Sequence, residues 1–187
     1  MKNTLHLFLI LIIVNLSLTV SGQTLITNPP GGHYCQGAAG LQIQVASSTN
    51  GTTYTLRRQG QPAILATVTG NGNTVTFGGT YQSGNYVTAP ATNTLTITAD
   101  PLPAIFTLGA TNNGAYCNYP SAVGVELWTM TSQPGVDYIL YRGVTSIDTL
   151  PGTGTMLSFG TYLTPGAYRV TAKYPTSGCT RNSNTIT

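Results

Sequence analysis

The chain has 187 residues, only 6% of them charged, and a formal net charge of +3. Seven basic residues scattered over that length make no phosphate-tracking face, so the composition excludes nucleic acid as a partner. Polarity comes from Thr, Ser, Asn, Gln and Gly, a surface with little like-charge repulsion to keep copies apart.

Residues 1–22 read as a cleaved signal peptide. Lys2 supplies the positive start, Leu5 to Val14 is almost wholly apolar, and Val20-Ser21-Gly22 offers a cleavage site before Gln23. No cysteine follows that site for a lipid anchor, and no later run approaches the ~18 apolar residues of a membrane helix. The mature chain is therefore expected at the cell surface or outside the cell, without membrane insertion.

Residues 23–33 form an N-terminal arm with one short strand, Leu25-Ile26-Thr27, ahead of Pro29-Pro30. With nothing before it in the mature chain to hold it down, this strand is expected to be free to pair with an open sheet edge on another copy. Repeating that contact head to tail gives a filament, with copies of the chain as its partners.

Tyr34-Cys35 opens a segment whose landmarks all recur. Tyr54-Thr55-Leu56-Arg57 returns as Tyr138-Ile139-Leu140-Tyr141-Arg142, and Gly70-Asn71-Gly72 as Gly152-Thr153-Gly154, both read as hairpin turns. Phe77-Gly78 returns as Phe159-Gly160, and Gly84-Asn85-Tyr86-Val87 as Gly166-Ala167-Tyr168-Arg169-Val170. A period of roughly 80 residues is a duplicated domain rather than a solenoid turn or a β-helix rung. Within each repeat the apolar residues alternate: Leu41, Ile43, Val45; Tyr54, Leu56; Val75, Phe77; Leu95, Ile97; then Val123, Val125, Leu127; Tyr138, Leu140; Leu157, Phe159; Tyr168, Val170. A period of two marks strands with one face in a core. With a leading strand in each repeat (Leu25 to Thr27; Ile105 to Leu108), about seven strands per repeat predict an all-β chain of two tandem β-sandwiches. The domains are expected at 34–100 and 101–187, joined through Asp100-Pro101-Leu102-Pro103, whose prolines hold a short, stiff connector.

Cys117 and Cys179 bracket the second repeat, whereas the first repeat has a counterpart of Cys117 (Cys35) but none of Ser177-Gly178-Cys179. That spacing leaves Cys35 as the odd thiol, either buried and unpaired or joined to another chain.

Tyr-Cys, Tyr-x-Leu-x-Arg, Gly-x-Gly, Phe-Gly, Pro-Gly-x-Tyr-x-Val-x-Ala and Ser-Gly-Cys-Thr, in that order, resemble the immunoglobulin-like repeats of Bacteroidota cell-surface proteins, including the large adhesins of gliding species. The resemblance covers Tyr116 to Thr187 and, without the final cysteine, Tyr34 to Thr98. It implies immunoglobulin-like sandwiches, extracellular display, a Cys117–Cys179 bridge and no catalysis.

The residue inventory agrees with a non-enzymatic chain needing no cofactor. His33 is the single histidine beyond residue 22 and sits in a turn-rich segment, so neither a nucleophile-histidine relay nor a zinc site is available. Asp137 and Asp148 share a predicted hairpin and read as surface residues rather than a glycosidase pair. Asp148-Thr149-Leu150 resembles the short O-glycosylation acceptor of Bacteroidota, at Thr149, and Asn50-Gly51-Thr52 is formally an N-glycosylation sequon. Trp128 alternates with the inward Val125 and Leu127, so its ring is expected to face outward, either as a contact for a glycan or a surface protein or covered by the adjoining domain or a loop. The sequence therefore predicts a filament subunit, with a small adhesin or binding module as the alternative.

Overall fold

The alternating runs form strands, and the strands sort by repeat into two sandwiches. A computed structural model describes residues 23–90, 92–117 and 123–187; residues 1–22, where a signal peptide is expected, lie outside the described residues. The first repeat contributes β1 (Thr24–Asn28), β2 (His33–Cys35), β3 (Gln42–Ala46), β4 (Thr53–Arg58), β5 (Ile64–Thr69), β6 (Val75–Thr76), β7 (Gly84–Ala89) and β8 (Leu95–Asp100). The second contributes β9 (Leu108–Ala110), β10 (Val125–Thr129), β11 (Asp137–Arg142), β12 (Thr145–Pro151), β13 (Leu157–Tyr162), β14 (Tyr168–Lys173) and β15 (Thr180–Ile186).

In the first repeat a sheet ordered β1-β3-β6 faces one ordered β2-β8-β7-β4-β5; in the second, β13-β10-β9 faces β12-β11-β14-β15. Among the described residues all strand pairings are antiparallel except β2 against β8. The inward residues of each pair of sheets form their own core. One is built around Ile43, Val45, Tyr54, Leu56, Phe77, Tyr86 and Ile97, the other around Leu127, Tyr138, Leu140, Phe159, Tyr168 and Val170.

The same polar fastenings recur in both. Tyr86 Oη donates to the Gln82 carbonyl at 2.8 Å, and Tyr168 Oη to the Thr164 carbonyl at 2.6 Å. Each is a buried tyrosine bonded four residues back at the corner where the chain crosses between sheets, the tyrosine corner of immunoglobulin-like sandwiches. Tyr54 Oη accepts the Thr49 N–H and Tyr138 Oη the Gln133 N–H, both at 2.9 Å. The chain is thus two tandem immunoglobulin-like β-sandwiches.

Three expectations need correction here. The strand Leu25-Ile26-Thr27 is not a free arm: β1 pairs along its length with β3, and Leu25 and Thr27 are buried in the first sandwich. A strand that carries a core leucine and a full ladder gains more from its own domain than a solvated arm does. Gly70-Asn71-Gly72 and Gly152-Thr153-Gly154 are not hairpin turns, because β5 and β6, like β12 and β13, belong to opposite sheets. Gly70 and Gly152 are forced at these crossings, since a Cβ on either meets a backbone carbonyl, of Thr49 at 2.1 Å or of Gln133 at 2.0 Å. Finally, β9 begins only at Leu108; Phe106 packs in the core, but Ile105 is exposed.

Candidate functional site

The cysteines are paired across the repeats. Cys35 is bonded to Cys179, with 5.5 Å between their Cα atoms and 144 residues between them in sequence, and Cys117 is free and exposed. The expected Cys117–Cys179 bridge is therefore replaced by one that joins the two sandwiches.

Strand direction explains why. Cys179 closes the turn between β14 and β15, at the end of the sandwich where Lys173 pairs with Thr180. Cys117 follows Tyr116, whose hydroxyl bonds the Leu163 carbonyl at the corner leading into β14, the opposite end. A six-residue strand spans roughly 20 Å, far beyond the ~7 Å Cα separation that a disulfide tolerates. Residues that bracket a repeat in sequence thus lie at its two poles.

Cys35 is placed differently. Parallel pairing of β2 with β8 puts Cys35 level with Asp100, where the chain leaves the first sandwich for the second. The β14–β15 hairpin reaches back to meet it. Nine residues separate Tyr86 from its ladder partner Leu95, whereas eighteen separate the equivalent Tyr168 from Ile186. The extra length carries Tyr174 to Cys179, folded by Tyr174 N–H to the Cys179 carbonyl at 3.0 Å and Gly178 N–H to the Tyr174 carbonyl at 2.9 Å. Tyr174 is anchored in turn by Gln133 Nε2, which donates to its hydroxyl at 2.6 Å.

Beside the disulfide, His33, Asp100, Thr176 and Ser177 line an open cavity of about 330 Å³. His33 lies on β2 rather than in a loop, and its Nδ1 is 3.1 Å from the Asp100 carboxylate. Serine, histidine and aspartate meet here, but they do not form a relay: Ser177 Oγ accepts the Cys179 N–H at 3.3 Å instead of meeting the imidazole. Among the described residues no group of three or more His, Cys, Asp or Glu is placed to hold a metal ion.

The remaining predicted residues are dispersed. Trp128 is half-buried on the outer face of β10, as its register requires, with its ring laid over Gly109 of β9. Met130 and Met156 are exposed on the same face, flanking the inward pair Thr129 and Leu157. Thr149 is exposed on the edge strand β12, with Asp148 Oδ1 accepting its N–H at 2.7 Å. Asp137 and Asp148 share the β11–β12 hairpin but sit at different levels, opposite Pro151 and Leu140.

A second cavity, of about 100 Å³, opens at the far pole of the second sandwich among Tyr116, Val125, Tyr162, Tyr168, Ile186 and Thr187. Burial raises the Tyr162 pKa, and Asp148 and Tyr168 add to the effect. Sequence reading did not locate this cavity or the joint. The one available signal for the joint was the odd cysteine count combined with the longer second hairpin.

No protein-family profile and no curated protein matches the chain. Among solved structures it is similar to the human OSCAR ligand-binding domain, at 16% identity, covering 88% of this chain and 97% of that one with a TM-score of 0.36. Among the described residues no helix is long and apolar enough to cross a membrane.

Proposed function

We propose that the protein is a non-enzymatic extracellular structural module, a spacer of two immunoglobulin-like sandwiches locked end to end. The observation that carries this reading is the Cys35–Cys179 bond, which fixes one domain on the other rather than stapling either internally. Disulfides persist in oxidising compartments, in keeping with the exported sequence and the resemblance to Bacteroidota surface repeats. A head-to-tail filament made by strand exchange has to pull β1 from its ladder with β3 and expose Leu25, which disfavours that route to a homopolymer. The binding-module alternative rests on the apolar stripe of half-buried Trp128 with exposed Met130 and Met156, a face suited to a glycan or a surface protein.

Small-angle scattering on oxidised and reduced protein over a concentration series tests the spacer. It predicts a monomer of constant dimensions when oxidised and a broader distribution of domain arrangements when reduced. Mass that grows with concentration into long particles restores the filament reading instead.

A further inference from the structure

We propose that β5, the open edge of the first sandwich's larger sheet, is a docking site for an extended acidic segment of a partner protein. The segment adds to the sheet beyond β5 and sets a carboxylate against Arg57. The site stands apart from the Cys35–Cys179 joint, and the two fail on different measurements.

The first observation is an edge without the usual safeguards. β5 and β12 hold the same place in their repeats, each the outer strand of its sandwich's larger sheet. Both are irregular at one point, where the ladder shifts beside Arg57 for β5 and beside Tyr141 for β12. Beyond that they differ. β12 ends on Pro151 and carries Asp148 directly opposite the buried Leu140, which turns the carboxylate toward the core side. An inward charge and a proline both discourage a further strand. β5, Ile64-Leu65-Ala66-Thr67-Val68-Thr69, has neither.

The backbone of β5 is placed to pair. Gly70 N–H donates to the Thr52 carbonyl at 2.8 Å. Ladder bonds of an antiparallel pair alternate along the strand, so Val68 and Ala66 bond Tyr54 and Leu56 in turn. Thr67 and Thr69 therefore direct their N–H and carbonyl groups to the open side. Their side chains are exposed on the outer face, whereas Ala66 and Val68 pack against the core.

The second observation is an arginine without a partner. Arg57 lies on that outer face, opposite Ile64 in one ladder and Val87 in the other. Its Nε is buried and meets no hydrogen-bond acceptor among the described residues. Asp100 is the one acidic residue between 23 and 100, and it pairs with His33 at the far side of the same sheet, where β8 meets β2. The second sandwich fills the same position differently. Tyr141 stands there, with the Arg169 guanidinium 4.8 Å from its ring centroid, and Arg169 Nη1 donates to Asn182 Oδ1 at 3.2 Å. An unmet, buried N–H on a cation costs free energy that a carboxylate recovers.

The two observations meet on one strand and together define the partner. Main-chain bonds to Thr67 and Thr69 require an extended segment. A strand beyond β5 lies two interstrand spacings, roughly 10 Å, from β4. A glutamate on its outer face and the long Arg57 side chain bridge that distance across Ile64. Ile64 and Leu65, 52% and 46% exposed, add apolar contact beside the ion pair. A second copy of β5 is the wrong occupant, because it brings no acid, and β12 of a second copy keeps Asp148 turned inward.

An NMR titration of the oxidised chain tests this with two short capped peptides of alternating threonine and valine, one with a central glutamate and one with glutamine in its place. The glutamate peptide should shift the β5 amides and slow exchange at the Thr67 and Thr69 amides. The glutamine peptide should bind about three- to tenfold more weakly. Arg57→Gln should weaken the glutamate peptide by a similar factor and leave the glutamine peptide unaffected. Thr67→Pro removes an outward donor while sparing the β4 ladder, so it should abolish binding with the Tyr54 and Leu56 amides still protected. Equal affinity for the two peptides overturns the acidic partner, and it does so without any change to the protein. Unchanged exchange at Thr67 and Thr69 overturns the docking edge, even where shifts gather at Arg57. Protection there that grows with protein concentration, without peptide, overturns it in favour of self-association.

Discussion

Asn93 clamps Leu25 on both sides of its peptide unit: its Oδ1 accepts the Leu25 N–H at 2.6 Å and its Nδ2 donates to the Leu25 carbonyl at 3.2 Å. Asn184 does the same to Leu108, at 2.8 and 3.0 Å. In each sandwich a side-chain amide just before or on the last strand stands in for a backbone neighbour on the first, closing a gap between the sheets.

Asn93→Ala should destabilise the first sandwich by about 1–3 kcal/mol, because it strands a part-buried N–H and carbonyl. Chemical denaturation measures the loss, and the Leu25 amide should exchange faster than its neighbours in β3. An unchanged Leu25 exchange rate speaks against the clamp.

Reduction of Cys35–Cys179 should uncouple the domains. Closing 144 residues contributes at most about 5 kcal/mol by loop entropy. The oxidised protein should melt in one transition and the reduced protein, or Cys179→Ser, in two at lower temperature. Cys117→Ser should leave the melt unchanged, since that thiol is exposed and free.

Stability should fall in alkali. The pKa values of Tyr81, Tyr138 and Tyr162 are raised, in each case chiefly by burial. Nearby Tyr86 adds to the shift of Tyr81; Tyr174 adds to that of Tyr138, against an opposing bond from the Gln133 N–H. A folded-state pKa above the unfolded value near 10 means that the unfolded chain releases its proton first. The stabilisation is complete below about pH 10 and is lost as pH rises through the folded values. Denaturation midpoints should be level between neutral pH and about pH 9, then drop; a midpoint that rises in alkali contradicts the burial of these phenols.

Gly109→Ala should dislodge the tryptophan ring, because a Cβ there lies 2.6 Å from Trp128 Nε1. Trp128 is the chain's single tryptophan, so its emission reports the change directly. A red shift with little loss of stability is expected, and an unmoved spectrum places the ring elsewhere.

The strands were legible in the sequence because burial on one face imposes a period of two. Leu41 to Val45, Tyr54 to Leu56 and Tyr168 to Val170 could scarcely form anything else. β5 was not legible, and β12 only as the return of the hairpin that holds Asp137 and Asp148, both being edge strands whose residues are mostly exposed or half-buried. The joint was hidden for a different reason. Pairing Cys117 with Cys179 treats a repeat as a closed unit, whereas alternating strand directions put its first and last cysteines at opposite poles. The fate of β1 turned on tertiary contacts, the β3 ladder and Asn93, that no local pattern encodes.

The relation of the two sandwiches rests on the bond that joins them, and disulfide mapping of the oxidised protein tests that bond directly. Proteolysis under non-reducing conditions, with free thiols blocked beforehand, should yield a linked peptide pair containing Cys35 and Cys179 and a blocked peptide containing Cys117. A Cys117–Cys179 pair with Cys35 blocked contradicts the joint and returns each sandwich to independence.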